Sequence, residues 1–589
     1  MSGVLCLSKP HARRNIQTKE TLFTKRFKNT PRVNNVKETI DAEPGQTNDA
    51  AARAMDRSFL FILLALFATA VALVMFAYAS SFQIAWMYEW SSYADAARHV
   101  ASGQGLRTDF VNPMELAYLE REHLAQAPFP FTHRFPLFAL LLAAAFRVFG
   151  AQDVVEASVI AVLFGALVVT VAYAGRRLFP QSRAVAIAAA AIILVNPMFW
   201  RWFALWGYGS DILFATLLTL HAISLAENLE DTTSAPWRWY GIGLGGGVCY
   251  LARYNYTLFV PVVVAVIILF SANHRVRRLA LFLAGFATVF VSWFLYRQLA
   301  VGSVQSVDLT SNVADLGRGL PWLDYTTINL AAFVTQNSRE LLAKWIQMFF
   351  GHLQWLPTAF DNYLLMPFAI VACFFLKRTG AVERRRAAFA AFFLFGLLVQ
   401  VVVFSFLRRE PFGRYFLWLV PFAALMGVDF FFASTASLAL RWRQVVRLGF
   451  ALLFLGWTAN TIVSINGLAY VKEWAEQTPR DVEFPVLDAK VPRDAWIVSN
   501  VGVHLGWYLN HPAIDLPNTP DDLMFLLRHY PVKAIYIAGW PQGETKNRPY
   551  WAWYVSQPEW DSRFAKATGF GTVIHIRNSV LFLPGTPPP

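Results

Sequence analysis

Apolar stretches of about twenty residues recur eleven times along this chain, and no other feature restricts its fold so strongly. They fall at roughly 58–82, 155–176, 183–203, 211–227, 239–253, 256–271, 279–299, 361–377, 387–407, 412–433 and 446–466. A helix of that length crosses the hydrocarbon of a bilayer, because each residue advances it by about 1.5 Å. Only 15% of the 589 residues are charged and 56% are hydrophobic, whereas soluble domains carry about a quarter charged residues. The 21 Trp and 20 Tyr suit a protein with many lipid–water boundaries. A polytopic α-helical membrane protein follows.

The net charge of +13 does not point to nucleic acid, because of where it sits. Much of it lies in the first 57 residues (HARR, TKRFK) and in short loops between apolar runs, where basic residues set membrane topology. The three cysteines, Cys6, Cys249 and Cys373, are scattered over the tail and apolar runs, which argues against a disulfide or metal framework. "AYA" at 77–79 has the look of a cleavage site. The run before it is longer than a secretory h-region and follows a long polar tail, so an uncleaved signal anchor is expected. Residues 1–57 then form a disordered cytoplasmic tail.

One apolar run, "RFPLFALLLAAAFRVFG" from Arg134, opens near a proline and contains Arg147. If it lies along the membrane surface, GRRLFPQSR, SANHRVRR, KRTGAVERRR and RWRQVVR all fall on the cytoplasmic side with the tail. If it spans, they all move outside. The first arrangement gives about eleven spans over 58–466, with the N-terminus inside and the C-terminus outside. External segments are then 83–154, 300–345 and the tail from 467. In that tail "AWIVSN", "AIDLP" and "KAIYIAG" read as strands, "PDDLMFLLRHY" as a helix, and "GTVIHIRNSVLFL" as a hairpin. A small external α/β domain over 467–589 is expected, without a P-loop or GxGxxG.

Just after the first span, Trp90, Tyr93, Ala94, Ala97, Val100 and Ala101 recur at helical spacing, with Ser91, Ser92, Asp95, Arg98 and His99 on the opposite face. This predicts an amphipathic helix lying in the interface plane. Glu89 stands in its first turn, where unpaired N–H groups favour negative charge. A carboxylate there either complements the helix dipole or takes a proton from an attacking hydroxyl. Spacing alone leaves both open.

Glu89, Tyr93, Ala97 and "SGQGL" at 102–106 resemble the "acid…Y…A…GxGL" segment of the class C glycosyltransferases that use polyprenyl-phosphate sugars. Further matches follow in order. "HRFPLFALLLAAAFRVFG" is similar to that family's juxtamembrane helix, and "GRRLFP" and "ILVNPMF" to its second and third span ends. "WGYGSDILFATLLTL" is similar to the segment with a second functional acid, "LARYNYTLFVP" to "LtRyngl…P", and "FGRYFLWLVPFAALMG" to "eRYllpllP". The resemblance covers about 58–435 and takes in protein O-mannosyltransferases and aminoarabinose lipid A transferases. It differs at Glu89-Trp90, where the family often has Asp-Glu, and at His133, where an acid often precedes the basic residue.

The resemblance implies Glu89 and Asp211 as the catalytic acids, with Arg134, Arg414, Arg253 and His133 around the donor phosphate. Each has a plainer role: Asp211 as a helix cap, the arginines as contacts to lipid headgroups. No cofactor is expected and a divalent metal is not indicated, since no DxD lies near the first loop. The implied reaction moves a sugar from a polyprenyl phosphate to a lipid, glycan or protein acceptor on the external face, by inverting displacement. A bacterial inner membrane with a periplasmic site is the expected location. Partners are the lipid-linked donor, membrane lipids and the acceptor, with no nucleic acid. A flippase of lipid-linked sugars would need broken helices and polar groups at mid-span, whereas here the charges gather at span ends. An inactive binding or assembly homologue is the remaining alternative.

Overall fold

The computed structural model describes residues 46–81, 88–132, 134–196, 199, 209–230, 235–271, 273–316, 320–356, 365–375, 381–407, 414–466, 479–539, 551, 557 and 559–585. The chain divides into two units near residue 60, and the strands among the described residues all lie in the second. Its first half contains α2 Tyr88–Ala101, α3 Pro113–Arg121, α4 Pro136–Phe149, α5 Asp153–Leu178, α6 Arg183–Val195, α7 Gly209–Glu230, α8 Pro236–Ala252, α9 Phe259–Phe270 and α10 Arg275–Val301, after the long α1 Gln46–Ser81. There follow α11 Val307–Ala314, α12 Leu330–Gln336, α13 Ser338–Trp355, α14 Leu365–Phe374, α15 Ala381–Leu407, α16 Leu419–Ala436 and α17 Leu440–Asn466. The C-terminal part adds α18 Pro479–Lys490, α19 Gly502–Leu509, α20 Pro520–His529 and α21 Trp560–Thr568.

Six helical stretches among the described residues are long and apolar enough to cross a membrane: Arg57–Ala79, Asp153–Leu178, Gly209–Leu229, Arg275–Val304, Glu383–Leu407 and Leu419–Ala436. The chain is a multi-pass membrane protein. The helices α6, α9 and α14 have 13, 12 and 10 residues, short of the twenty or so that a lone span needs. Helix α4 is also short, with 14 residues, and Arg147 near its end donates to the Ala101 carbonyl at the end of α2 (3.1 Å).

The stretch "GIGLGGGV" in α8 is explained by its neighbours. A Cβ on Gly243 would stand 2.1 Å from the Phe282 carbonyl oxygen, and one on Gly285 2.1 Å from that of Tyr240, so the backbones of α8 and α10 touch directly. A Cβ on Gly246 would meet the Tyr256 hydroxyl at 2.4 Å. That hydroxyl is hydrogen-bonded to His221 Nε2 on α7 (2.8 Å). The chain that leaves α8 is thereby held against α7. Small residues bring helices this close where lipid offers no hydrophobic drive for association.

The strands are β1 Arg107–Thr108, β2 Phe110–Val111, β3 Phe129–Pro130, β4 Trp496–Ser499, β5 Ala513–Asp515, β6 Val532–Ile537, β7 Thr572–Ile576 and β8 Ser579–Leu583. Six of them form one sheet in the order β2-β5-β4-β6-β8-β7. β2, β5, β4 and β6 are parallel, and the β7–β8 hairpin turns at Arg577, which has a φ of 54°. Alternate residues face opposite ways, as a period of two requires. Ile497, Ala534 and Leu581 pack towards α18 and α19, while Val498, Ile535 and Phe582 pack on the other side.

The edge strand β2 belongs to the first loop, 385 or more residues from the others in sequence, and registers Phe110 with Ala513. The core on that side also takes Met114, Leu116 and Leu119 from α3, and Val301, Val304 and Val307 from the end of α10 to the start of α11. Residues 320–328 join as well: Asn518 donates to the Leu320 carbonyl (2.9 Å) and Tyr118 to that of Ile328 (2.9 Å). Stretches from the external segments 83–154 and 300–345 thus share one core with the C-terminal part.

Candidate active site

Three distant motifs meet at one buried charge. Asp211 sits in the first turn of α7, Arg253 follows the last residue of α8, and Tyr415 lies in a 3-10 turn, Arg414–Phe416, just before α16. Arg253 Nη1 lies 2.7 Å from Asp211 Oδ1 in an ion pair, and the guanidinium lies over the Tyr415 ring, 4.8 Å from its centroid. All three residues are buried. Each element is held in place separately. Tyr256 anchors the turn after Arg253 to α7, as above. On the other side, Gln400 of α15 donates to the Tyr415 carbonyl (2.8 Å) and accepts from the Trp418 indole. Trp418 is packed edge-on against Phe259 and Phe422, with centroids 4.9 and 5.4 Å apart.

A buried guanidinium fixed on its edge by a carboxylate and on its face by an aromatic ring is a preoriented cation. Arginine suits this role because its fork is planar, permanently charged and weakly hydrated. The pairing gives Asp211 a role other than a cap: its carboxylate is the counter-ion of Arg253. Arg134 is half-buried and immediately precedes Phe135. The Phe135 ring packs on Tyr250 and Tyr254, with centroids 5.0 and 5.9 Å apart. Arg134 and Arg253 are therefore each one residue from the same ring contact. The side chains of Glu89 and Arg414, and His133 as a whole, lie outside the described residues; the backbones of Glu89 and Arg414 are in α2 and the 3-10 turn. The start of α2 is tied to α7 through α4: Tyr93 packs edge-on against Phe138 (5.0 Å), and Gly209 lies against that same ring.

A second cluster lies on the polar face of α2, which an amphipathic helix in the interface plane turns to water. The structure corrects this, since Ser91, Ser92, Asp95 and His99 are all buried. The C-terminal part covers them: Arg98 donates to the carbonyls of Trp507 (2.9 Å) and Gly506 (3.0 Å) and to the Asn510 side chain. An exposed face and a face under a distant partner have the same residue pattern. Only the charge-bearing spacing Asp95, Arg98, His99 (i, i+3, i+4) hinted at a local network.

Arg98 bridges two acids, Asp95 and Asp109, the latter at 2.9 Å. Asp95 also accepts from Thr108 Oγ1 (2.6 Å) and from the Asp109 amide (2.7 Å). Burial pushes the Asp95 carboxyl up, against the pull of Arg98. His99 Nε2 lies 3.1 Å from Asp109 Oδ2, and Nδ1 meets the Gln104 oxygen. Burial disfavours its charged form, but Asp109 and Asp95 more than offset this, and its pKa is raised. Asp95, His99 and Asp109 place ligand atoms within 4.8 Å of one another, as metal ligands do. Arg98 Nη2 already bonds one oxygen of each carboxylate, so the cluster carries its own cation. A cleft of about 720 Å³ opens beside it.

No family model and no curated protein matches the chain. Some solved structures are similar to it over much of their length. One is the archaeal oligosaccharyltransferase AglB from Archaeoglobus fulgidus in complex with an inhibitory peptide and a dolichol-phosphate: 12% identity over 81% of this chain and 69% of that one, TM-score 0.48. The apo form of the Archaeoglobus fulgidus oligosaccharyltransferase is similar at 11% identity, over the same shares of the two chains, and TM-score 0.49. ArnT from Cupriavidus metallidurans bound to undecaprenyl phosphate is similar at 13% identity over 88% of this chain and 97% of that one, TM-score 0.46. At such identities and scores, what this chain does has to be read from its own residues.

Proposed function

We propose that this membrane protein transfers a sugar from a polyprenyl-phosphate carrier to an acceptor hydroxyl on the external face of the membrane. The observation that carries the reading is the Asp211–Arg253–Tyr415 centre, which fixes a buried cation at the ends of apolar helices. A lipid phosphate is the anion that arrives at such a place. Arg253 receives it, Asp211 and Tyr415 hold Arg253, and Arg134 and Arg414 add charge-assisted hydrogen bonds. The leaving phosphate gains charge as the glycosidic bond breaks, so fixed cations stabilise the transition state more than the ground state. Glu89 takes the proton of the attacking hydroxyl, and a single displacement inverts the anomeric carbon. The acceptor arrives from the side of the six-stranded sheet.

Glu89→Gln tests this. With a panel of radiolabelled polyprenyl-phosphate sugars, the variant should insert normally, bind donor and lose transfer by about 10²-fold or more. If Glu89 serves only the helix dipole, the variant loses well under about 1 kcal/mol of stability and turns over normally. Transfer within a few-fold of the parent at matched membrane levels removes Glu89 as the base.

A further inference from the structure

The cleft beside the Asp95–His99–Asp109 cluster plays no part in the chemistry above, yet its polar groups are oriented. The Gln104 side-chain oxygen is engaged by His99, and that of Asn510 by Arg98. With each oxygen held by a basic group, each amide turns its NH₂ group away from the cluster. Both residues line the cleft. Arg107, also in the lining, spends one N–H on the Pro128 carbonyl (2.9 Å) and has others to give. The one carboxylate in the lining, Asp109, gives Oδ2 to Arg98 and His99, and Oδ1 has no partner among the described residues. Gly103 and Gly105 both have φ of +83°, and nothing lies within 4 Å of where their Cβ atoms would be, so the rim is open.

Several fixed donors around one acceptor fit neighbouring hydroxyl groups, each of which gives one hydrogen bond and accepts others. A strongly anionic ligand would face Asp109 and Asp95, and a cationic one would face Arg98 and Arg107. We propose that this cleft is a sugar-binding subsite that takes a neutral, hydroxyl-rich unit of the acceptor. As an acceptor subsite it rests on the transferase reading. Helix α2 links the two places: Glu89 is in its first turn and His99 ten residues on, about 15 Å along the axis. The acceptor is thus a glycan long enough to reach from cleft to reacting hydroxyl.

Saturation-transfer NMR on the full chain in nanodiscs tests the subsite, with maltotriose, chitotriose and mannotriose as neutral probes and trigalacturonic acid as the anionic one. At least one neutral trisaccharide should give a signal that falls ten-fold or more in Gln104→Ala and in Arg107→Ala, both exposed and outside the Asp95–Arg98 ion pair. Asp109→Asn should abolish it too, but also disturbs that network, so the two exposed variants decide. No neutral signal, a neutral signal that both variants retain, or a stronger signal from trigalacturonic acid overturns the proposal. Glu89→Gln should keep the signal while losing transfer. If it keeps transfer, only Glu89 as the base is lost; if the parent transfers no sugar from any donor of the panel, the transferase reading fails whatever the cleft binds; if the parent transfers but the signal fails, only the subsite does.

Discussion

Asp211→Asn probes the buried ion pair from its carboxylate side. Asp211 Oδ1 is 2.7 Å from Arg253 Nη1, and the two side chains are 2% and 8% exposed. Asparagine keeps the volume and one acceptor oxygen but removes the negative charge, leaving a guanidinium buried without it. Removing one partner of such a pair costs about 3–5 kcal/mol. The Tyr415 ring contact is present before and after, so it returns nothing. A ligand phosphate supplies the missing charge. The lipid should therefore stabilise the variant more than the parent, on top of the roughly 2.7 kcal/mol that any ligand gives at a hundred times its Kd. The assay is thermal unfolding of the full chain in detergent, with undecaprenyl phosphate, with inorganic phosphate and with neither. Without lipid the variant's apparent Tm should fall by several degrees, and its lipid-induced rise should exceed the parent's. An unchanged Tm would show that the pair contributes nothing to stability. A rise no larger than the parent's would show that Arg253 does not meet the phosphate.

Arg134→Ala and Arg414→Ala should each weaken donor binding by about 1.5–3 kcal/mol per lost bond, with lysine recovering only part; unchanged donor affinity and turnover in both would leave them as headgroup contacts. His99 has a raised pKa, so its contribution to stability is full below about 6.5 and fades as pH rises through its folded value. Asp95, raised from 3.8, acts in the same direction at lower pH. Thermal stability of the parent should thus drop more steeply than that of His99→Gln as pH rises above about 6.5, and parallel curves would contradict the pairing with Asp109. Gly243→Ala puts a Cβ 2.1 Å from the Phe282 carbonyl, which forces α8 and α10 apart at about 1–3 kcal/mol. A variant with the parent's Tm would disprove that close approach.

Much of the fold was legible where a single local pattern decides it. Twenty apolar residues in a row leave the backbone one way to satisfy its hydrogen bonds in lipid, which is a helix. Short continuous apolar runs at 496–498 and 534–537 likewise mark strands buried on both sides. Lone candidates were also legible: Asp211 and Arg253 stand at the ends of apolar runs, in segments that resemble the motifs of the class C family. What they do was not, because a cap, a headgroup contact and an ion pair require the same residue at the same helix end. Only tertiary structure set Arg253 on Asp211 and Tyr415, since the three come from segments some 40 and 160 residues apart. The same holds for α2, whose polar side looked like a face for water. Its burial under α19 depends on a two-residue strand, Phe110–Val111, finding the edge of a sheet built about 400 residues later. A strand that short has no periodicity of its own to read, and its partner is chosen by the core it completes.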